Sequence, residues 1–355
     1  MMENLLETFG DGGVLFGLGG LVGIVFGAAA YQSRFCLRAA TVEVAEGRWG
    51  ERLGVWLVAF CAAVFAVQFA IAAGWLNVTD ARQLANVGSI SGAIIGGLMF
   101  GIGMILARGC ASRLLVLSAT GNLRAIVTGL VLTVVAQASL SGVLAPARLA
   151  LSVLWVVPGG ASRDLLSIIG LTAPVAAAIA GVFLAVSLLF AVRKGVPLSW
   201  GISAVIVGLA VAAGWIGTYQ VSQASFEVVS ITSVTFTGPS TDTLMALVNA
   251  PVIPLGFGVG LVPGVFLGAA IASILTGGFH IERFGNDTPT ERYLIGAILM
   301  GFGSMLAGGC AVGAGMSGGA IFSLTAWVAV LCMWLGAMAT HAVLRTTSGS
   351  VAQTT

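Results

Sequence analysis

The sequence predicts an all-α polytopic membrane protein, a helical bundle with inverted repeats and broken or re-entrant helices. Three observations predict it. Of 355 residues, 58 % are hydrophobic and 8 % charged, with a mean hydropathy of +1.06, where a soluble domain carries roughly 25 % charged residues. The 15 basic and 13 acidic residues are too few to wet the surface of a soluble chain of this length. Apolar runs of spanning length recur from one end to the other, and one of them returns 200 residues later with its glycines and cysteine in register.

Crossing a bilayer takes about 20 apolar residues at about 1.5 Å of rise each. Nine runs qualify: 13–31, 53–76, 88–107, 125–145, 165–192, 198–216, 251–277, 293–312 and 320–342. The opening MMENLLETFGDGG is acidic and lacks a small-residue cleavage pattern, so the first run reads as retained. LALSVLWVV at 149–157 is too short to cross and reads as an interfacial or re-entrant piece ending at Pro158-Gly159-Gly160. The polar stretch 217–250 is the longest loop expected.

Charge then orients the chain. With the N-terminus outside, the inner loops hold Arg34, Arg38, Arg48, Arg52, Arg108, Arg113, Arg124, Arg193, Lys194, Arg283, Arg292 and Arg345, and the outer ones only Arg82, Arg148 and Arg163. Positive charge gathers on the cytoplasmic side. The C-terminus is therefore expected inside, with a single transmembrane domain over 1–355.

GGLMFGIGMILARGCA at 96–111 aligns with GAILMGFGSMLAGGCA at 296–311, sharing Gly96, Gly101, Gly103, Leu106, Ala107, Gly109, Cys110 and Ala111 with their partners. The orientation runs these two segments in opposite senses, the inverted arrangement that places a transport site between repeats. The expected units are 13–158, a connector 165–216 and 251–342. A weaker match at an offset of 240 links 20–30 with 260–270, aligns Cys36 with Thr276, and makes that pair parallel; Pro263-Gly264 suggests a break there. Glycines before Cys110 and Cys310 interrupt their runs, and an interrupted helix leaves peptide N–H groups able to face an anion. Hence the N–H groups beside Gly109 and Gly309 are candidate donors.

Several functions are excluded or disfavoured. A net charge of +2 is too small for a nucleic-acid binder. Five cysteines without C-x-x-C or metal-ligand spacing give neither a disulfide framework nor a resident metal, and no cofactor is expected. Cys61 and Cys332 lie mid-run among apolar neighbours and read as packing residues. Cys110 and Cys310, each directly after a glycine, read as functional; Cys36, between Arg34 and Arg38, has neighbours that would favour thiolate and draw in anions, and its residues alone leave it open between a packing and a functional role. Gln32 and Asn122 are polar candidates near the same ends, and His280 and His341 read as interface residues.

Arg34-Phe35-Cys36, Arg108-Gly109-Cys110-Ala111 and Gly308-Gly309-Cys310-Ala311 resemble the three cysteine motifs of the YeeE/YedE-type bacterial sulfur transport family, over roughly 14–342. The resemblance implies an inner-membrane transporter, not an enzyme, with Cys36, Cys110 and Cys310 lining a thiosulfate path. A cytoplasmic sulfur-carrier protein is a candidate partner. A thiosulfate dianion would be met by neutral donors, because an ionised side chain at mid-membrane costs roughly 2.5–3.5 kcal/mol. Protonated thiols and peptide N–H groups fit that need, and Arg34, Arg38, Arg108 and Arg113 would raise the local anion concentration. The residues also leave open another soft solute (sulfide, a selenium anion, a thiophilic metal ion), a membrane redox protein, or a structural subunit.

Overall fold

A computed structural model describes residues 2–249, 253–283 and 290–352. In chain order the helices are α1 (Met2–Gln32), α2 (Leu37–Ala45), α3 (Glu51–Ala72), α4 (Arg82–Ala85), α5 (Ile90–Leu106), α6 (Ala111–Ala119), α7 (Leu123–Ser141), α8 (Ala145–Ser152), α9 (Leu165–Ile169), α10 (Ala173–Arg193), α11 (Leu198–Ala224), α12 (Thr237–Asn249), α13 (Phe257–Leu275), α14 (Thr290–Ala307) and α15 (Leu324–Ala352). A π-helical turn occupies Gly313–Gly318. Two-residue strands β1 (Gly88–Ser89) and β2 (Val156–Val157) pair antiparallel. Eight segments among the described residues are long and apolar enough to cross a membrane. The chain is an all-α, multi-pass membrane protein. Of the nine expected spans, 293–312 is not among these eight: it corresponds to α14, whose first turn is the polar Thr290-Glu291-Arg292 and which runs alongside α5 and α7.

Several boundaries differ from expectation. The run 165–192 divides: α9 stops at Gly170, whose φ of 74° lies in the left-handed region, and α10 restarts before Pro174. Polar residues after 216 do not end the helix, because α11 continues to Ala224, where Ser225 bonds the Asp11 carboxylate at 2.7 Å. The expected loop 217–250 thereby shrinks to 225–236, followed by α12. Pro263 does not break α13. Its ring removes one N–H donor, while Gly260, Gly264 and Gly268 press that helix along α1 and hold it continuous. Residues 251–252 of the expected run 251–277 lie outside the described residues.

Two crossings form the centre of the bundle. On α5 and α14, a Cβ on Gly96 would lie 2.5 Å from the Gly303 carbonyl oxygen, and one on Gly103 would lie 2.5 Å from that of Gly296. These helices are antiparallel, with backbones close enough to touch, as small residues permit in lipid. On α1 and α13, Gly20 faces Gly264 and Ile24 faces Gly268, so this pair is parallel. Helix α15 packs parallel to α5, Met333 and Ala337 against Gly101.

The helix ends sort into two groups. At one end Tyr31 Oη lies 3.1 Å from Thr276 Oγ1, His341 Nε2 lies 3.2 Å from Glu46 Oε1, and Arg124 donates to Tyr293 Oη at 2.9 Å. At the other, Ser89 and Ser91 donate to carbonyls of Ser152 and Leu151, and Arg163 joins Asn86 to Thr325. The stretch 149–157 becomes the end of α8 and β2, largely exposed at this second end.

Candidate functional site

Helices α1, α5 and α14 end in one repeated way. A residue in the left-handed region stops each helix: Arg34 (φ 53°), Arg108 (φ 55°) and Gly308 (φ 80°). The next N–H turns back to a carbonyl five residues earlier, Phe35 to Ala30 at 3.2 Å, Gly109 to Met104 at 3.2 Å and Gly309 to Ser304 at 2.9 Å. The residue after that is a cysteine that opens a new segment: Cys36 caps α2, Cys110 caps α6, and Cys310 leads into the π turn, its carbonyl accepting from Ala314 N–H at 2.8 Å. A left-handed L-residue costs about 1–2 kcal/mol, so the two arginines hold strain that Gly308 avoids.

This geometry narrows one expectation and shifts another. The N–H groups of Gly109 and Gly309 themselves close the helix ends they follow. In the turn after each cysteine, the Arg113 N–H meets Cys110 Sγ and the Gly313 N–H lies 3.5 Å from Cys310 Sγ. Also, α13 ends by the same route, with Gly277 at φ 68° and Gly278 N–H on the Ser273 carbonyl at 2.8 Å. The position equivalent to Cys36 is therefore Phe279, two residues past the left-handed glycine, and not Thr276.

Cys110 lies within electrostatic range of both Cys36 and Cys310, which are 74 and 200 residues from it in sequence. Cys110 and Cys310 are 1 % exposed, and Cys36 is half-buried. Cys110 Sγ is also 3.3 Å from Ser112 Oγ, and Cys310 Sγ is 4.0 Å from Thr235 Oγ1. Cys61 and Cys332 sit elsewhere, the first beside Ser187 and the second against Gly97.

Cavities flank the cysteines. On the Cys36 side a cavity of about 310 Å³ is lined by Arg34, Cys36, Arg38, Arg52, Arg108 and Arg113. Among the described residues none of these five guanidiniums is in an ion pair. Arg34 and Arg52 lie 4.9 and 5.1 Å from the Trp200 ring, an arrangement that fixes cations without neutralising them. Beyond Cys310 a much smaller cavity, about 20 Å³, is lined by Arg82, Gln83, Trp215, Thr235 and Ser317, among others.

The segment after Cys310 is held by side chains from four directions. Gln83 donates to the Gly313 carbonyl at 3.1 Å, Trp215 Nε1 to Ser317 O at 3.2 Å, Gln68 to Ala320 O at 2.7 Å, and Ser317 Oγ to Val234 O at 2.6 Å. Such bonds replace the partners that irregular backbone would lack in the bilayer. Gln68, fully buried and the lone polar residue of VFAVQFAIA, carries a readable signal in the sequence; Thr235, within a hydroxyl-rich loop, does not. Asn122 proves structural, capping α7 through Ala125 N–H and bonding Glu282. His341 faces Glu46, His280 Nδ1 lies 3.0 Å from Gly278 O, and Gln32 is half-buried at the end of α1. Among the described residues no group of three or more His, Cys, Asp or Glu is placed so that it could hold a metal ion.

Two relatives of this chain are each named thiosulfate transporter TsuA. One, from Spirochaeta thermophila, is 26 % identical over 335 residues, covering 89 % of this chain and 95 % of that protein. Another, from Escherichia coli, is 27 % identical over 347 residues, covering 90 % of this chain and 92 % of that protein. The sequence family described as Sulphur transport matches residues 32–339, which include all three clustered cysteines. With most of its length matched, and with the cysteine-capped helix breaks inside the match, the chain belongs to the sulfur transport family.

Proposed function

We propose that this protein carries thiosulfate into the bacterial cytoplasm across the inner membrane, N-terminus outside and C-terminus inside, along Cys310, Cys110 and Cys36. One observation carries the reading. Three cysteines follow three helix breaks, Cys110 lies within electrostatic range of the other two, and an arginine-lined cavity lies beside Cys36 and a polar one near Cys310.

The chemistry rests on burial and charge. A thiolate deep in the bilayer would be costly and would repel a dianion; the neutral S–H is a weak donor. The terminal sulfur of thiosulfate is soft and meets these thiols, while its oxygens accept from first-turn N–H groups of α6 and of the turn after Cys310. Several weak contacts in series allow release as well as capture. Arg34, Arg38, Arg108 and Arg113, with Arg52, attract the anion at the inner mouth, where a sulfur-carrier protein would collect it. The relatives' names support thiosulfate over sulfide, selenium anions and metal ions. In this reading 13–158 and 251–342 act as the two repeat units around the path, with 165–216 between them.

Uptake of radiolabelled thiosulfate tests it. Cys110→Ala and Cys310→Ala are each expected to lower uptake by about tenfold or more, the equivalent of one lost hydrogen bond to a charged group. Cys61→Ala and Cys332→Ala are expected to retain it. Wild-type uptake in the Cys110→Ala protein, present at normal level in the membrane, would overturn the path.

A further inference from the structure

The small cavity beyond Cys310 has a composition unlike the apolar packing around it. Arg82 is exposed at its rim, and among the described residues it is in no ion pair. Gln83 spends its amide N–H on Gly313, and its Oε1 is buried without a partner. Thr235 lines the same space and brings its hydroxyl to 4.0 Å from Cys310 Sγ, so one side chain of the wall also touches that cysteine. A second cation stands behind. Arg163 is 6 % exposed, donates to Asn86 O and Thr325 Oγ1 at 2.6 Å each, and lies within electrostatic range of Arg82. Its bond to Asn86 holds the C-terminal end of α4, the helix that Arg82 opens. The carboxylate in range of Arg82 is Asp242 on α12.

The cavity's 20 Å³ holds about one water, which is less than a dianion of five heavy atoms needs. One wall is the strand-like stretch 231–236, threaded between α11 and the π turn. Hydroxyl bonds at 2.6 Å clamp it: Thr218 Oγ1 to Thr232 O, Ser233 Oγ to Val211 O, and Ser317 Oγ to Val234 O. Phe236 anchors its far end, fully buried with its ring 5.3 Å from that of Phe26. A wall fastened by a few side-chain hydroxyls can shift between its anchors without unfolding a helix.

We infer that Arg82 and Thr235 form a receiving site that selects a small oxygen- and sulfur-bearing dianion before it reaches Cys310, widened by displacement of 231–236, with Gln83 holding the π turn beside it through the Gly313 carbonyl. Arg82 and Arg163 supply the field, Arg82 and the Thr235 hydroxyl donate to the oxygens, and Thr235 hands the ion on to the Cys310 thiol. The absence of a carboxylate among the lining residues keeps cations out. This site rests on the transport reading and adds to it the residues that set apparent affinity.

The test is saturable uptake of radiolabelled thiosulfate in vesicles with the Arg82 end facing the supply. Arg82→Gln is expected to raise the half-saturating concentration by about tenfold, as for the loss of one charge-assisted hydrogen bond, with the maximal rate kept. Arg82→Lys is expected to restore most of that loss, and Arg193→Gln, an exposed cation at the end of α10, measured from the same side is expected to leave half-saturation unchanged. An Arg82→Gln protein with wild-type half-saturation would overturn the receiving site while leaving transport intact. A wild-type protein that takes up no thiosulfate would instead sink the transport reading. Should Arg82→Gln not reach the membrane, Asp242→Asn decides: removal of the competing charge is expected to lower half-saturation about twofold to threefold, and an unchanged value overturns the inference.

Discussion

At Arg108-Gly109-Cys110 and at Gly308-Gly309-Cys310 the chain leaves a long helix by the same backbone route, with a left-handed residue, a backward N–H bond and a cysteine that starts the next segment. Past the cysteines the two halves diverge. After Cys110 comes the regular nine-residue helix α6, and its left-handed residue is an arginine at the large cavity. After Cys310 comes a π turn buttressed by Gln83, Trp215, Gln68 and Ser317, and its left-handed residue is a glycine beside the small cavity. One turn thus serves two tasks. In the first half it sets a guanidinium at an open mouth; in the second it yields to a narrow, hydroxyl-lined constriction. The peptide geometry is the shared part, and the side chains mounted on it are the specific part.

The largest effect is expected at the crossing that holds both turns in place. Gly96→Val puts a branched side chain where the Gly303 carbonyl oxygen stands 2.5 Å from an ideal Cβ. Folded, monodisperse protein after detergent extraction is expected to be lost, as size-exclusion chromatography would show. A milder change tests the left-handed residue itself. Arg108→Gly relieves about 1–2 kcal/mol of backbone strain, so thermal unfolding in detergent should move upward while thiosulfate uptake falls severalfold. A rise in both would separate Arg108 from the anion route. Gly308→Ala is the converse, expected to destabilise by about 1 kcal/mol.

The smallest effect concerns pH at the Arg82 end. Burial raises the Asp242 carboxyl above the usual carboxylate range, and Arg82 opposes that shift. An acid whose pKa is raised in the folded protein favours that state while protonated. Stability should therefore decline as pH climbs from the ordinary carboxylate value through the raised one, and the cost persists above it. Asp242→Asn is expected to flatten that part of the profile by a fraction of the whole, measurable by thermal unfolding across about pH 4 to 7.

Much of this is legible in the primary structure, for physical reasons. Apolar runs mark the spans because lipid tolerates few charges, and LA-x-GCA marks the helix breaks because Cys is scarce here. Other features are hidden for equally physical reasons. A glycine is the residue expected to take a positive φ, so Gly109 stands out in the sequence while the left-handed position is Arg108. The re-entry of 231–236 is invisible there because its threonines and serines read as loop, and their partners are carbonyls of distant segments. Pro263 reads as a break, but the packing of α1 on α13 overrides that local preference.

The five-guanidinium cavity bears on flow as well. Such a chamber gathers mobile counter-ions from the adjoining solution, and these screen it over about 8 Å at physiological ionic strength. On the proposed route a departing dianion would trade places with that cloud, whereas the small cavity at the far end has Arg82 as the one cation in its lining. Raising salt on the face of the large cavity is then expected to alter flux more than raising it on the other.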